Sequence, residues 1–144
     1  MEGERPLGQV IRPCGPIMDP GAAERARALL DGAGLSLDIA WPVLAPVFGA
    51  APYLASLSTR DPDRLVRILS RPAGQSLEAI LAATRACAAE PDIERAAARL
   101  RGLKADLHLL VALADLGGAW NLTEVTGALS RFADAAVRAA LTQA

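Results

Sequence analysis

The sequence predicts an all-α protein, a multi-helix bundle of about six or seven helices that ends in a long antiparallel helical hairpin. Three observations lead there. Apolar residues make up 52% of the 144 positions, but aromatics only 3%. The apolar content is mostly Ala and Leu, which favour close-packed helices over the β-branched and aromatic side chains that strands prefer. Apolar residues also recur at three- and four-residue intervals, and Pro or Gly punctuates the segments between.

Residues 1–20 carry Pro6, Pro13, Pro16 and Pro20 with Gly3, Gly8 and Gly15. Missing donors and a fixed φ exclude a regular helix there, so an extended arm is expected, with Val10, Ile11, Ile17 and Met18 either laid along a groove or left disordered. Residues 21–144 are expected to form one helical domain: short helices over 21–70, a linker over 71–75 and long helices over 76–142.

Ala22, Ala26, Leu29 and Leu30 share one helix face, and Gly34 reads as the stop behind them. Trp41-Pro42 opens a short helix through Phe48, in which Pro46 should bend or end the first turns. Pro52 starts another with Tyr53, Leu54 and Leu57. Asp61 then suits an N-cap and Pro62 the first helical position. Ser70-Arg71-Pro72-Ala73-Gly74-Gln75 separates this half from Leu77, Ile80, Leu81, Thr84 and Cys87, one helix to about Ala89.

Asp92 caps the longest helix, expected from about Ile93 to Leu116 and about 36 Å long at 1.5 Å per residue. Leu100, Leu103, Leu107, Leu110 and Val111 give it one stripe, and Leu109 and Leu113 add a second face, so it should be the core helix. Gly117-Gly118 lets the chain reverse. Asn121 and Glu124 have capping-box spacing, and Leu122, Val125, Leu129, Phe132, Ala136, Val137 and Leu141 form the stripe of the last helix. That stripe still calls for a partner surface near Ala144. Val125, Leu129, Phe132 and Leu141 are therefore candidate interface residues.

The chemistry is sparse. The 15 basic and 16 acidic residues are intermixed, with no basic run to track a phosphate backbone, so nucleic acid is not an expected partner. No window resembles a membrane span, and the start MEGERPLGQVIRP has no apolar h-region, so no signal peptide is expected. Cys14 and Cys87 lack CxxC spacing and read as reduced thiols of a cytoplasmic protein. Nucleophile-elbow, P-loop, zincin and dinucleotide motifs are absent.

Cys14 and His108 could be imagined as a thiol–imidazole pair, but a Pro-rich arm gives the thiol no rigid position. Asp61-Pro62-Asp63 has an Asp-x-Asp form, yet it sits at a helix start with no Gly-Ser before it, and capping explains it. Trp41, Phe48, Tyr53, Trp120 and Phe132 are scattered as core anchors are. A helix-turn-helix reader at Gly117-Gly118 lacks basic residues on the following helix before Arg131. Arg101, Lys104, His108 and Asp115 fall within a sector of about 60° on the long helix. They mark either a second candidate interface or the solvated face of an amphipathic helix.

Three segments then stand together: VLAPVFGAAPYLASLSTRDPDRL from Val43 to Leu65, LRGLKADLHLLVALADLGG from Leu100 to Gly118, and NLTEVTGALSRFADAAVRAAL from Asn121 to Leu141. In this order, and with GPIMDPGAAERA ahead of them, they resemble the N-terminal helical region of the bacterial bifunctional glutamine synthetase adenylyltransferase/adenylyl-removing enzymes. The resemblance implies nitrogen regulation. Two nucleotidyltransferase-type halves remove and attach AMP on glutamine synthetase under control of a PII-type signal protein, with ATP and Mg²⁺ as requirements of the whole enzyme.

A Gly-Ser loop and a strand-borne Asp-x-Asp would hold that Mg²⁺, and this sequence has neither. No catalytic, cofactor or metal residue carries over. The positions that match are Pro52, Tyr53, Leu54, Asp61, Pro62, Lys104, Asp115, Leu116 and Gly118, with Val125, Thr126, Leu129, Ala133 and Asp134, and their implied role is packing. The expectation is an N-terminal fragment, inactive alone, partnered by the downstream nucleotidyltransferase domain. The alternative is a stand-alone helical interaction module or homodimer.

Overall fold

The computed structural model describes residues 5–32, 37, 38 and 40–143. Among them are eight α-helices and no strand: α1 Leu7–Val10, α2 Pro20–Gly32, α3 Trp41–Ala50, α4 Pro52–Arg60, α5 Pro62–Leu69, α6 Ala73–Ala86, α7 Ile93–Leu116 and α8 Leu122–Gln143, with a 3₁₀ turn at Cys87–Ala89 after α6. The protein is an all-α bundle. Its last two helices form the long antiparallel hairpin that the periodicity predicts.

α7 is the hub. It packs against α4 and α5 on one side and against α6 and α8 on the other, while α2 and α3 close over α4. Leu103, Leu107, Leu109, Leu110, Val111, Leu113 and Ala114 are all buried, so the second half of α7 is enclosed nearly all round. That is why two apolar faces are written into its sequence. Asp92 caps it through the amides of Glu94 at 3.0 Å and Arg95 at 3.3 Å.

The N-terminal segment differs from a featureless arm. The prolines flank α1 instead of interrupting it, with Pro6 at its N-cap and Pro13 beyond its end. Leu7 is fully buried, and its amide donates to the Arg71 carbonyl at 2.9 Å. Ile11 is buried as well, whereas Ile17 and Met18 are exposed. The Arg12 amide donates to the Gly117 carbonyl at 2.9 Å, tying the segment to the hairpin turn.

Gly117 has an ordinary φ of −79°. Its value lies in close approach: a Cβ there would lie 2.6 Å from Ile11 Cβ and from the Leu113 carbonyl oxygen. The reversal itself belongs to Gly118, at φ 77°.

Other boundaries shift for local reasons. α2 starts at Pro20 because the Asp19 carboxylate accepts from the Ala22 amide at 2.9 Å. Gly34 lies outside the described residues. α3 continues through Pro46 to Ala50, and Pro46 is itself buried in the core. α6 begins at Ala73, which leaves Ser70–Pro72 as the connection and puts Gly74 and Gln75 in the first turn. Asp61 occupies the N-cap position of α5, but its carboxylate takes no capping bond. It faces the Arg64 guanidinium at 3.8 Å instead.

Candidate functional site

The hairpin of α7 and α8 carries every candidate residue; a cap defines the start of α8 and two ties hold that helix to the bundle. Asn121 and Glu124 form a full capping box, with Asn121 Oδ1 accepting from the Glu124 amide at 2.9 Å and Glu124 Oε1 accepting from the Asn121 amide at 3.1 Å. At the far end Gln143 Nε2 reaches the carbonyls of Cys87 at 2.9 Å, Ala88 at 3.0 Å and Glu90 at 2.6 Å. Arg131 meets Glu78 of α6 at 2.8 Å. The capping box fixes where α8 begins, while Arg131 and Gln143 tie its middle and end to α6 and the segment that follows α6. Periodicity carries no trace of the Gln143 clamp, since an exposed-looking Gln near a terminus has no sequence signal.

The four apolar candidates on α8 divide. Val125 and Phe132, each 8% exposed, already pack into the core of this chain. Leu129 and Leu141 remain outside at 41% and 70%. Leu122 and Val137, exposed at 76% and 57%, join them. The buried stripe runs through Val125, Ala128, Phe132, Ala135 and Ala139. A second apolar strip therefore lies beside it on the same helix, and covering each large side chain of that strip is worth about 1.5–3 kcal/mol.

The polar candidates on α7 do not form one cluster of interacting groups. Arg101, Lys104 and Asp115 are exposed, and none makes an ion pair with a described acid or base. His108 is half-buried and has a partner that the helical spacing could not reveal, Tyr53 of α4. The Tyr53 hydroxyl and His108 Nδ1 are 2.9 Å apart, and the rings meet edge to face. Burial pushes the His108 pKa below its ordinary value, and nearby Lys104 adds to the effect. The hydroxyl and Nδ1 share a hydrogen bond whose direction follows the tautomer of the imidazole.

One charged pair was also hidden from the sequence. Arg64 Nε donates to Asp106 at 2.6 Å, its Nη1 donates to the Leu57 carbonyl at 3.0 Å, and both charged side chains are largely covered. The pair pins α5 and the end of α4 to α7. Its residues are 42 apart in sequence, and no spacing rule links them.

Asp61 and Asp63 flank Pro62 at the first turn of α5, and among the described residues no group of three or more His, Cys, Asp or Glu converges. Cys14 is exposed and Cys87 buried. No helix among the described residues is long and apolar enough to cross a membrane.

The comparisons with known proteins decide the family. The family described as glutamate-ammonia ligase adenylyltransferase matches residues 41–144. The chain belongs to this family. It is 58% identical to the bifunctional glutamine synthetase adenylyltransferase/adenylyl-removing enzyme of Caulobacter vibrioides over 142 residues, covering 96% of this chain and 14% of that protein. The enzymes of the same description from Xanthobacter autotrophicus and Rhodopseudomonas palustris are each 42% identical, over 80% and 83% of this chain and 12% of theirs. The chain thus spans only a small part of the adenylyltransferases it matches. No solved structure matches it.

Proposed function

We propose that this chain is the N-terminal helical scaffold of a bifunctional glutamine synthetase adenylyltransferase/adenylyl-removing enzyme, and that it makes no bonds itself. The observation that carries the reading is the match of nearly the whole chain to 14% of the Caulobacter relative. The uncovered strip of Leu122, Leu129, Val137 and Leu141 supports it, because a helix tied to the bundle at its middle and end presents that strip in a fixed position.

On this proposal the strip is the seam to the downstream nucleotidyltransferase domain. Glutamine synthetase is the protein acted on, a PII-type signal protein governs the balance, and ATP and Mg²⁺ serve other parts of the enzyme. The setting is the cytoplasm.

The test is a graft in which this chain replaces the matching segment of the Caulobacter enzyme. The graft should retain both AMP attachment and AMP removal, and the isolated chain should show neither. AMP release by the isolated chain overturns the scaffold reading. So does loss of both reactions in a graft whose helix content and solubility equal the parent's.

A further inference from the structure

The exposed strip on α8 has an order that identifies its occupant. Leu129, Ala133, Val137 and Leu141 follow one another at four-residue intervals, and all four are exposed. Side chains in such a row form the ridge that fits the groove of another helix, and the small Ala133 permits a close crossing. The occupant this row suits is a helix.

Beside the row the charge is one-sided. A groove of about 290 Å³ lies between the end of α6 and the second half of α8, over the small side chains of Ala135 and Ala139. Its rim holds three guanidiniums, Arg85, Arg131 and Arg138, against one carboxylate, Asp134. Arg131 is already engaged by Glu78, whereas Arg85 and Arg138 form no ion pair with any described acid. Taking about 100° per residue, Leu141 and Arg138 lie about 60° apart around α8, so the ridge and the basic rim are adjacent strips of one surface.

We propose that this surface seats an amphipathic helix from the rest of the same enzyme, its apolar face on the Leu129–Leu141 ridge and an acidic flank against Arg85 and Arg138. The proposal rests on the scaffold reading and adds the chemistry of the partner. Arginine forks suit carboxylates, and a covered pair of them fixes register as the ridge alone does not.

The test uses the Caulobacter graft and the isolated chain, each with Val137→Cys, labelled with a maleimide and read by mass on the peptide that contains position 137. Labelling should be at least about tenfold slower in the graft, and the added double reversal Arg85→Glu/Arg138→Glu should restore most of the isolated-chain rate. Raising the salt to about 1 M should act in the same direction. Arg85→Gln/Arg138→Gln, with helix content checked, repeats the test without introduced acids.

Protection at Val137→Cys that survives both double variants and high salt overturns the acidic partner and leaves the scaffold seam standing. Equal labelling in graft and isolated chain overturns both. Protection in the isolated chain that grows with its concentration, with a dimer by light scattering, makes a second copy the occupant and overturns the proposal.

Discussion

α7 and α8 are close in length, 24 and 22 residues, and lie against each other, yet they end up in opposite situations. α7 is enclosed nearly all round through its second half, touching α4, α5, α6 and α8. α8 is buried along a single stripe, Val125 and Phe132 among small alanines, while Leu122, Leu129, Val137 and Leu141 face outward. The lesson concerns completeness: the core of this chain closes around α7 without the outer strip of α8. What α8 shows outward is surplus to the fold of this chain.

Substitutions sharpen that contrast. Leu110→Ala in α7 removes a fully buried side chain from the hub and should cost about 2–5 kcal/mol, seen as a lower urea midpoint. Leu141→Ala on the outer strip should change the isolated chain by less than about 0.5 kcal/mol, yet destabilise a graft into the longer relative. Equal losses in the isolated chain would erase the distinction.

Gly117→Ala comes next. The added Cβ meets Ile11 and the Leu113 carbonyl at 2.6 Å, so the N-terminal segment must shift, at a cost of about 1–3 kcal/mol. Hydrogen exchange should then show earlier opening at the Leu7 and Arg12 amides, which bond across to Arg71 and Gly117. Asn121→Ala breaks the capping box of α8 and should cost about 0.5–2 kcal/mol, with fraying confined to the first turn.

The smallest effect is pH-dependent. Because the folded His108 pKa lies below its unfolded value, the unfolded chain binds the proton first as pH falls. Its contribution is present above the ordinary histidine range and declines as pH drops through that range towards the folded pKa. His108→Gln should therefore flatten the fall in stability between about pH 7.5 and 5.5. An unchanged slope would mean that the imidazole titrates as it does in the unfolded chain.

Much of this was legible in local pattern. The bounds of α7, the Asp92 cap, the Asn121–Glu124 box and the enclosure of α7 all follow from period and capping chemistry within a few residues. The N-terminal segment was not legible, because its proline content argues against a helix, whereas Pro6 sits at the N-cap of α1 where no helical donor is lost. Periodicity put Val125, Leu129, Phe132 and Leu141 in one stripe, but could not say that α6 and α7 cover only two of them.

By itself the sequence determined the two long helices and their caps, because turn and capping energies act over a few residues, and it carried the family likeness in ordered motifs. Only the tertiary structure decided which apolar face is used and which is left over. It alone joined Tyr53 to His108, Arg64 to Asp106 and Gln143 to the turn after α6. Those partners are 55, 42 and 56 positions apart, and at such distances only the packing of whole helices brings groups together.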